Sequence, residues 1–222
     1  LLVLVAGWFV VLPVVAPTVT EKTIERDASV SMGDSFAIMN QSELALTMYD
    51  HALIMNASDT AILKKKAEML LKTGQITQAE TIYQQVLTQD RNDTAALMRA
   101  GDGQVRLGDL NGALTYYNEA LAVNPADSKI LLKKGDTYLL MSAQETQKLQ
   151  VAAQAMAKQP GTAGYEPVSA VSVESQQSYQ NAMASYQKAM EIDPKLSVVI
   201  SAKVLMATQN QVASYQSLLN NF

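Results

Sequence analysis

Ala45, Ala79 and Ala113 follow one another at intervals of 34 residues, and Tyr49, Tyr83 and Tyr117 keep the same step. So do Ala52, Val86 and Ala120, and Leu53, Leu87 and Leu121. Gly74 and Gly108 repeat the interval, as do Gly101 and Gly135. This many coincidences in one register constrain the fold more than any single motif. A unit of this length cannot bury an apolar face alone, so stability must come from stacking neighbours into one continuous core. The apolar fraction, 48% of 222 residues, is enough to build such a core.

The spacing resembles the tetratricopeptide repeat (TPR) family, whose 34-residue unit is helix–turn–helix. That family places a small residue at position 8, a large one at 11, glycine near 15, alanine at 20, an aromatic at 24, alanine at 27 and proline at 32. Residues 94–127 fit best, with Gly101, Gly108, Ala113, Tyr117, Ala120 and Pro125, and depart at Gln104 in the large position. Residues 60–93 supply Ala67, Leu70, Gly74, Ala79 and Tyr83, with Arg91 where proline is usual. Residues 26–59 supply Gly33, Phe36, Ala45, Tyr49 and Ala52, but no turn glycine. The resemblance implies an all-α, TPR-like helical-hairpin solenoid, a right-handed superhelix over residues 31–222. Paired helices approach closely where facing side chains are small, so Ala113 and Ala120 mark contacts and Tyr117 fills the gap between them. Gly108 allows the chain to reverse and Pro125 ends the unit.

The fourth repeat, 128–194, is interrupted. Gly135 and Tyr138 open it and Ala182, Tyr186, Ala189 and Pro194 close it, with an insertion at about 143–177. Residues 142–158 contain no helix breaker and are rich in Ala, Gln and Lys, which predicts a first helix running past its usual end. Residues 159–175 read as an irregular tip, with Pro160, Gly161, Gly164 and Pro167. Tyr165, Glu166 and Pro167 are its candidate contact residues, since long loops on rigid scaffolds often carry recognition. A degenerate extra repeat is the rival reading, because Pro160 and Pro194 are also 34 apart. That frame puts Lys148 at the small position and Pro167 inside a helix, so the elongated hairpin is favoured. Residues 195–222 supply a C-terminal cap, a last helix after Pro194 and a short partner from 211.

In the family, partners often lie in the concave groove against position 9, which here reads Asp34, Glu68, Asp102 and Asp136. Relatives that clamp a peptide carboxylate carry Asn, Lys and Arg there, so carboxylate clamping is not expected. Two readings remain. The acidic row receives a basic or amine-bearing segment, or it pairs with Lys64, Lys65, Arg99, Arg106, Lys129 and Lys133 on neighbouring helices.

Residues 1–20 carry no charge, and the first ionisable side chain is Glu21. About 20 apolar residues in a helix would cross a bilayer. The expectation is a single apolar anchor helix over 1–20, contacting a lipid bilayer or apolar helix partners, and a polar stalk over 21–30. The segment after it shows no positive excess, which favours an extracytoplasmic domain. Three Asn-x-Ser/Thr triplets, at Asn40, Asn56 and Asn92, are candidate N-glycosylation sites in predicted turns.

Chemistry is thinly represented. With no cysteine and one histidine, His51, the chain lacks thiolate sites and two-histidine metal sites, and no carboxylate has a catalytic companion. Neither a cofactor nor a metal is expected. A net charge of −4 with 17 Lys and Arg gives no basic field, so nucleic acid is not an expected partner. The sequence reads as a membrane-anchored, non-catalytic scaffold for a protein partner, a membrane complex or self-assembly. The alternative is a structural subunit of an extracellular filament, its apolar helix in the assembly core. That build resembles a pilin-like subunit, although the family's glutamate near the mature start is absent and Pro13 and Pro17 would interrupt the bundle.

Overall fold

The computed structural model describes residues 2–5, 8–11, 18–157 and 166–219. The chain divides into two compact units, Leu1–Ile82 and Tyr83–Phe222.

The first unit opens with two short strands, β1 (Leu2–Val5) and β2 (Trp8–Val11), paired antiparallel with Leu2 opposite Val11 and Val5 opposite Trp8. This corrects the expected apolar helix over 1–20. The physical reason lies in residue type: Val3, Val5, Trp8, Phe9, Val10 and Val11 are β-branched or aromatic and favour extended backbone. No helix among the described residues is long and apolar enough to cross a membrane. The anchor, and the filament-core role given to the same helix, lose their structural basis.

The expected stalk is also helical. α1 (Val19–Ile38) starts at a capping box, in which Thr18 Oγ1 accepts from the Glu21 amide while the Glu21 carboxylate accepts from the Thr18 amide. α1 packs on α2 (Ser42–Met55), which packs on α3 (Thr60–Lys72). α4 (Ile76–Gln89) follows, and the division between units falls within it.

Two periodic devices set the boundaries. Gly74 and Gly108 both adopt positive φ, +80° and +83°, and stop α3 and the next first helix. Asn40, at the same step, takes φ +57°, so the first repeat uses asparagine where its turn glycine is missing. Asp59, Asp93 and Asp127 fall at the same 34-residue interval. Their carboxylates accept from amides in the first turns of the following helices and satisfy donors the helices cannot.

The second unit holds α5 (Thr94–Leu107), α6 (Leu110–Val123), α7 (Ser128–Ala157), α8 (Glu166–Ile192), a 3-10 turn at Pro194–Leu196 and α9 (Ser197–Leu219). α7 is one helix of 30 residues because Ser142 occupies the place of the turn glycine, and nothing stops the helix there. Residues 166–175 of the expected irregular tip are helical, because α8 begins at Glu166 with Pro167 in its first turn, where a missing N–H costs nothing; 159–165 lie outside the described residues. The C-terminal cap is a single 23-residue helix, without the break before a short partner expected at 211. No proline or glycine interrupts 197–219.

The core follows the repeat. Leu97, Ala113, Tyr117, Ala120 and Ile130 form one buried cluster, and Leu131, Ala182, Tyr186, Ala189 and Ile200 form the next. Tyr49, Tyr117 and Tyr186 each lie in a notch left by a glycine on the facing helix, whereas the second repeat has Ala67 at that position. A Cβ on Gly101 would sit 2.5 Å from the Tyr117 ring, one on Gly135 equally close to Tyr186, and one on Gly33 2.6 Å from Tyr49. Position 8 is glycine in these repeats because the ring occupies the space of a methyl group.

Candidate functional site

The same packing gives these three tyrosines a polar end. Buried Tyr49, Tyr117 and Tyr186 point their hydroxyls at position 9 of their own hairpins. Tyr49 donates to Asp34 Oδ1 at 2.8 Å, Tyr117 to Asp102 Oδ1 at 2.8 Å and Tyr186 to Asp136 Oδ1 at 2.7 Å. A lysine from the next first helix completes each group. Lys65 Nζ bonds Asp34, Lys133 Nζ lies 2.8 Å from Asp102, and Lys203 Nζ lies 2.8 Å from both Asp136 oxygens. Arg99 approaches Asp102 more loosely, at 3.5 Å.

The phenols are thereby held neutral. Burial first, then the hydrogen bond and charge of Asp34, push the Tyr49 hydroxyl far above its ordinary range. For Tyr117 the causes are burial followed by the charge and hydrogen bond of Asp102. Tyr186 is raised by burial and by Asp136. Each tyrosine is a fixed donor, and each aspartate accepts from a phenol on one side and a cation on the other.

Asp34, Asp102 and Asp136 are therefore nodes of Tyr–Asp–Lys groups that tie one hairpin to the next. Their cations come from within the chain, Lys65 and Lys133 among those expected. Lys203 was not among them, because the insertion stretches its distance from Asp136 to 67 residues from the 31 found elsewhere. The phenol donors were likewise not read from the sequence, although the 15-residue step from Asp to Tyr, repeated in Asp34–Tyr49 and Asp102–Tyr117, is a usable signal. Glu68, half-buried on α3, joins Asp34, Tyr49 and Lys65 in lining a cleft of about 480 Å³ in the first unit.

A second cleft, of about 490 Å³, opens between α7, α8 and α9. Leu139, Leu140 and Ala143 from α7 and Met206 and Ala207 from α9 give it apolar walls, beside the polar Ser142, Thr146 and Asn210. Leu140 and Met206 leave 45% and 65% of their surface exposed, so the cleft presents apolar area to solvent. Asp136 and Lys203 close one end, already paired with each other. Tyr179 of α8 spans towards α9, its hydroxyl 3.2 Å from Thr208 Oγ1. No sequence signal singled this cleft out, because it depends on the length of α7 and on α9 lying against it.

The remaining expected residues are placed as follows. Tyr165 lies outside the described residues, and Glu166 and Pro167 form the start of α8. Asn40, Asn56 and Asn92 are all exposed at inter-helix turns. His51 belongs to the α1–α2 contact, its Nδ1 3.0 Å from Ser29 Oγ and its Nε2 3.7 Å from Glu25. Among the described residues no group of three His, Cys, Asp or Glu side chains could hold a metal ion.

Comparison with known proteins agrees with this architecture. Residues 98–158 and residues 174–196 each match a protein-family model described as tetratricopeptide repeat. No curated protein matches the chain. Among solved structures, a crystal structure of MamA superposes with TM-score 0.57 at 14% identity, covering 86% of this chain and 94% of that one. MamA 41-end from Desulfovibrio magneticus RS-1 superposes with TM-score 0.58 at 15% identity, over 79% of this chain and 80% of that one. At such identities the likeness is one of fold, an all-helical TPR-like solenoid.

Proposed function

We propose that this chain is a non-catalytic scaffold that holds a protein partner, and that the α7–α8–α9 cleft is its main contact face. One observation carries the reading. The cleft exposes Leu140 and Met206 beside an ion pair that is already satisfied. A charged partner group would find its counter-ion engaged and would lose hydration without return. An apolar side chain would gain roughly 25 cal/mol for each Å² it buries. The fitting partner is thus an uncharged peptide segment that inserts aliphatic or aromatic side chains. The acidic row is a weaker candidate for a basic segment, since Asp34, Asp102 and Asp136 already hold lysines.

Cross-linking with mass spectrometry in native material names the neighbours, and Met206→Asp with Leu140→Asp tests the face. The expected outcome is loss of cross-links to the neighbour with helix content retained. Charge reversal at Asp102, away from the cleft, should leave them in place. Cross-links that survive both aspartates and vanish with Asp102→Lys would move the contact to the acidic row.

A further inference from the structure

The beyond-repeat half of the fourth hairpin is joined by hydroxyls. Ser142, Thr146, Ser175 and Ser178 are all buried where α7 meets α8. Ser175 Oγ lies 3.1 Å from Ser142 Oγ and 2.8 Å from Thr146 Oγ1, and donates to the Ser142 carbonyl. Thr146 also bonds the Ser142 carbonyl at 2.8 Å. The seam ends on a carboxyl group. Ser178 Oγ donates to Glu145 Oε1 at 3.4 Å, a long bond. Glu145 Oε2 is sealed from solvent and has no hydrogen-bond partner among the described residues. Ser142, Thr146 and Tyr179, the residue after Ser178, line the cleft, so this seam is one of its walls.

We propose that Glu145 makes the α7–α8 extension a proton-sensitive wall of the cleft, closed when its carboxyl is neutral and loosened when it is ionised. An ionised carboxylate can only accept, so its buried oxygen is left with an uncompensated desolvation cost. A neutral carboxyl carries no net charge to desolvate. The surrounding charges do not rescue the ionised form. Glu174 on α8 repels it, and among the described residues the cation acting on it is Lys148 on α7 itself. α9 carries a single charged residue, Lys203, which is held by Asp136 at the far end of the cleft. α6 contributes Glu119, which is exposed. Burial is the leading cause that raises the Glu145 carboxyl above the ordinary glutamate range. Ser178 and Lys148 oppose it and Glu174 adds to it.

The sign follows. A folded-state proton affinity above the unfolded value stabilises the closed seam in mild acid. That contribution is lost as pH rises from the ordinary glutamate range through the raised value. Opening would release Tyr179 from Thr208 and widen the cleft on its α8 side. The inference does not depend on what occupies the cleft.

Hydrogen exchange of the full chain, followed from mild acid to slightly alkaline pH and corrected for intrinsic rates, tests it without a partner. Amides of 142–150 and 174–180 should be protected at least about threefold more in mild acid. Glu145→Gln should give high protection at all pH values and abolish the difference. Glu174→Gln should move the transition to lower pH and Ser178→Ala to higher pH, which keeps the test sharp if Glu145→Gln fails to fold. A wild-type profile flat with pH, or a pH dependence that survives Glu145→Gln, would overturn the proposal.

Discussion

The base and the extension of the fourth hairpin use the same two helices and are held in opposite ways. At the base, Tyr186 fills the notch over Gly135, with Ala182, Ala189, Leu131 and Ile200 around it, and its hydroxyl reaches Asp136 and so Lys203. In the extension the contact is made by Ser142, Thr146, Ser175 and Ser178, with Glu145 at its edge. The base buries a large ring and couples to the following helix. Among the described residues the extension buries Leu149 and a set of hydroxyls, with no aromatic ring seated in a glycine notch. The teaching is that repeat identity resides in the ring-in-notch contact, while the added length is joined by weaker, adjustable bonds and builds a wall of the cleft.

The largest expected effect tests the base. Tyr186→Ala opens a cavity over Gly135 and removes the phenol from Asp136, and should cost about 3–5 kcal/mol in urea unfolding. A loss under about 1 kcal/mol would show that the notch is not the main contact. A smaller effect tests the extension. Ser175→Ala removes its bonds to Ser142 and Thr146 and should cost about 1 kcal/mol, since an intramolecular hydrogen bond contributes that much net. If it cost as much as Tyr186→Ala, the contrast between base and extension would fail.

Much of this was legible in the sequence, and for a physical reason. The interval of 34 residues is visible because Ala45, Ala79 and Ala113, with their tyrosines, are all buried at helix contacts that recur from repeat to repeat. The unbroken helix past Ser142 was legible from the lack of a breaker. The Tyr–Asp–Lys groups were half legible: the position-9 carboxylates and two of their lysines were in view. The phenols were read only as bulk, because a tyrosine's ring and hydroxyl act on different neighbours. Residues 1–20 misled because uncharged apolar composition fits a helix or strands equally. Length suggested a bilayer helix, whereas Val, Trp and Phe content favoured the β1–β2 pairing that forms. The cleft was invisible because Leu140 and Met206 are 66 positions apart in sequence and meet only through α9 lying on α7. Asn40 shows the same limit on a smaller scale: its turn was expected, but not that asparagine takes the positive φ of the missing glycine.

The central claim, that ring-in-notch packing rather than helix length holds the fourth hairpin, is tested most directly by native-state hydrogen exchange along α7 at fixed pH and increasing denaturant. The account predicts that amides of 131–138 exchange only with global unfolding, while those of 142–150 open at lower free energy with little denaturant dependence. Equal protection along the whole helix, or stronger protection beyond Ser142 than beside Gly135, would contradict it.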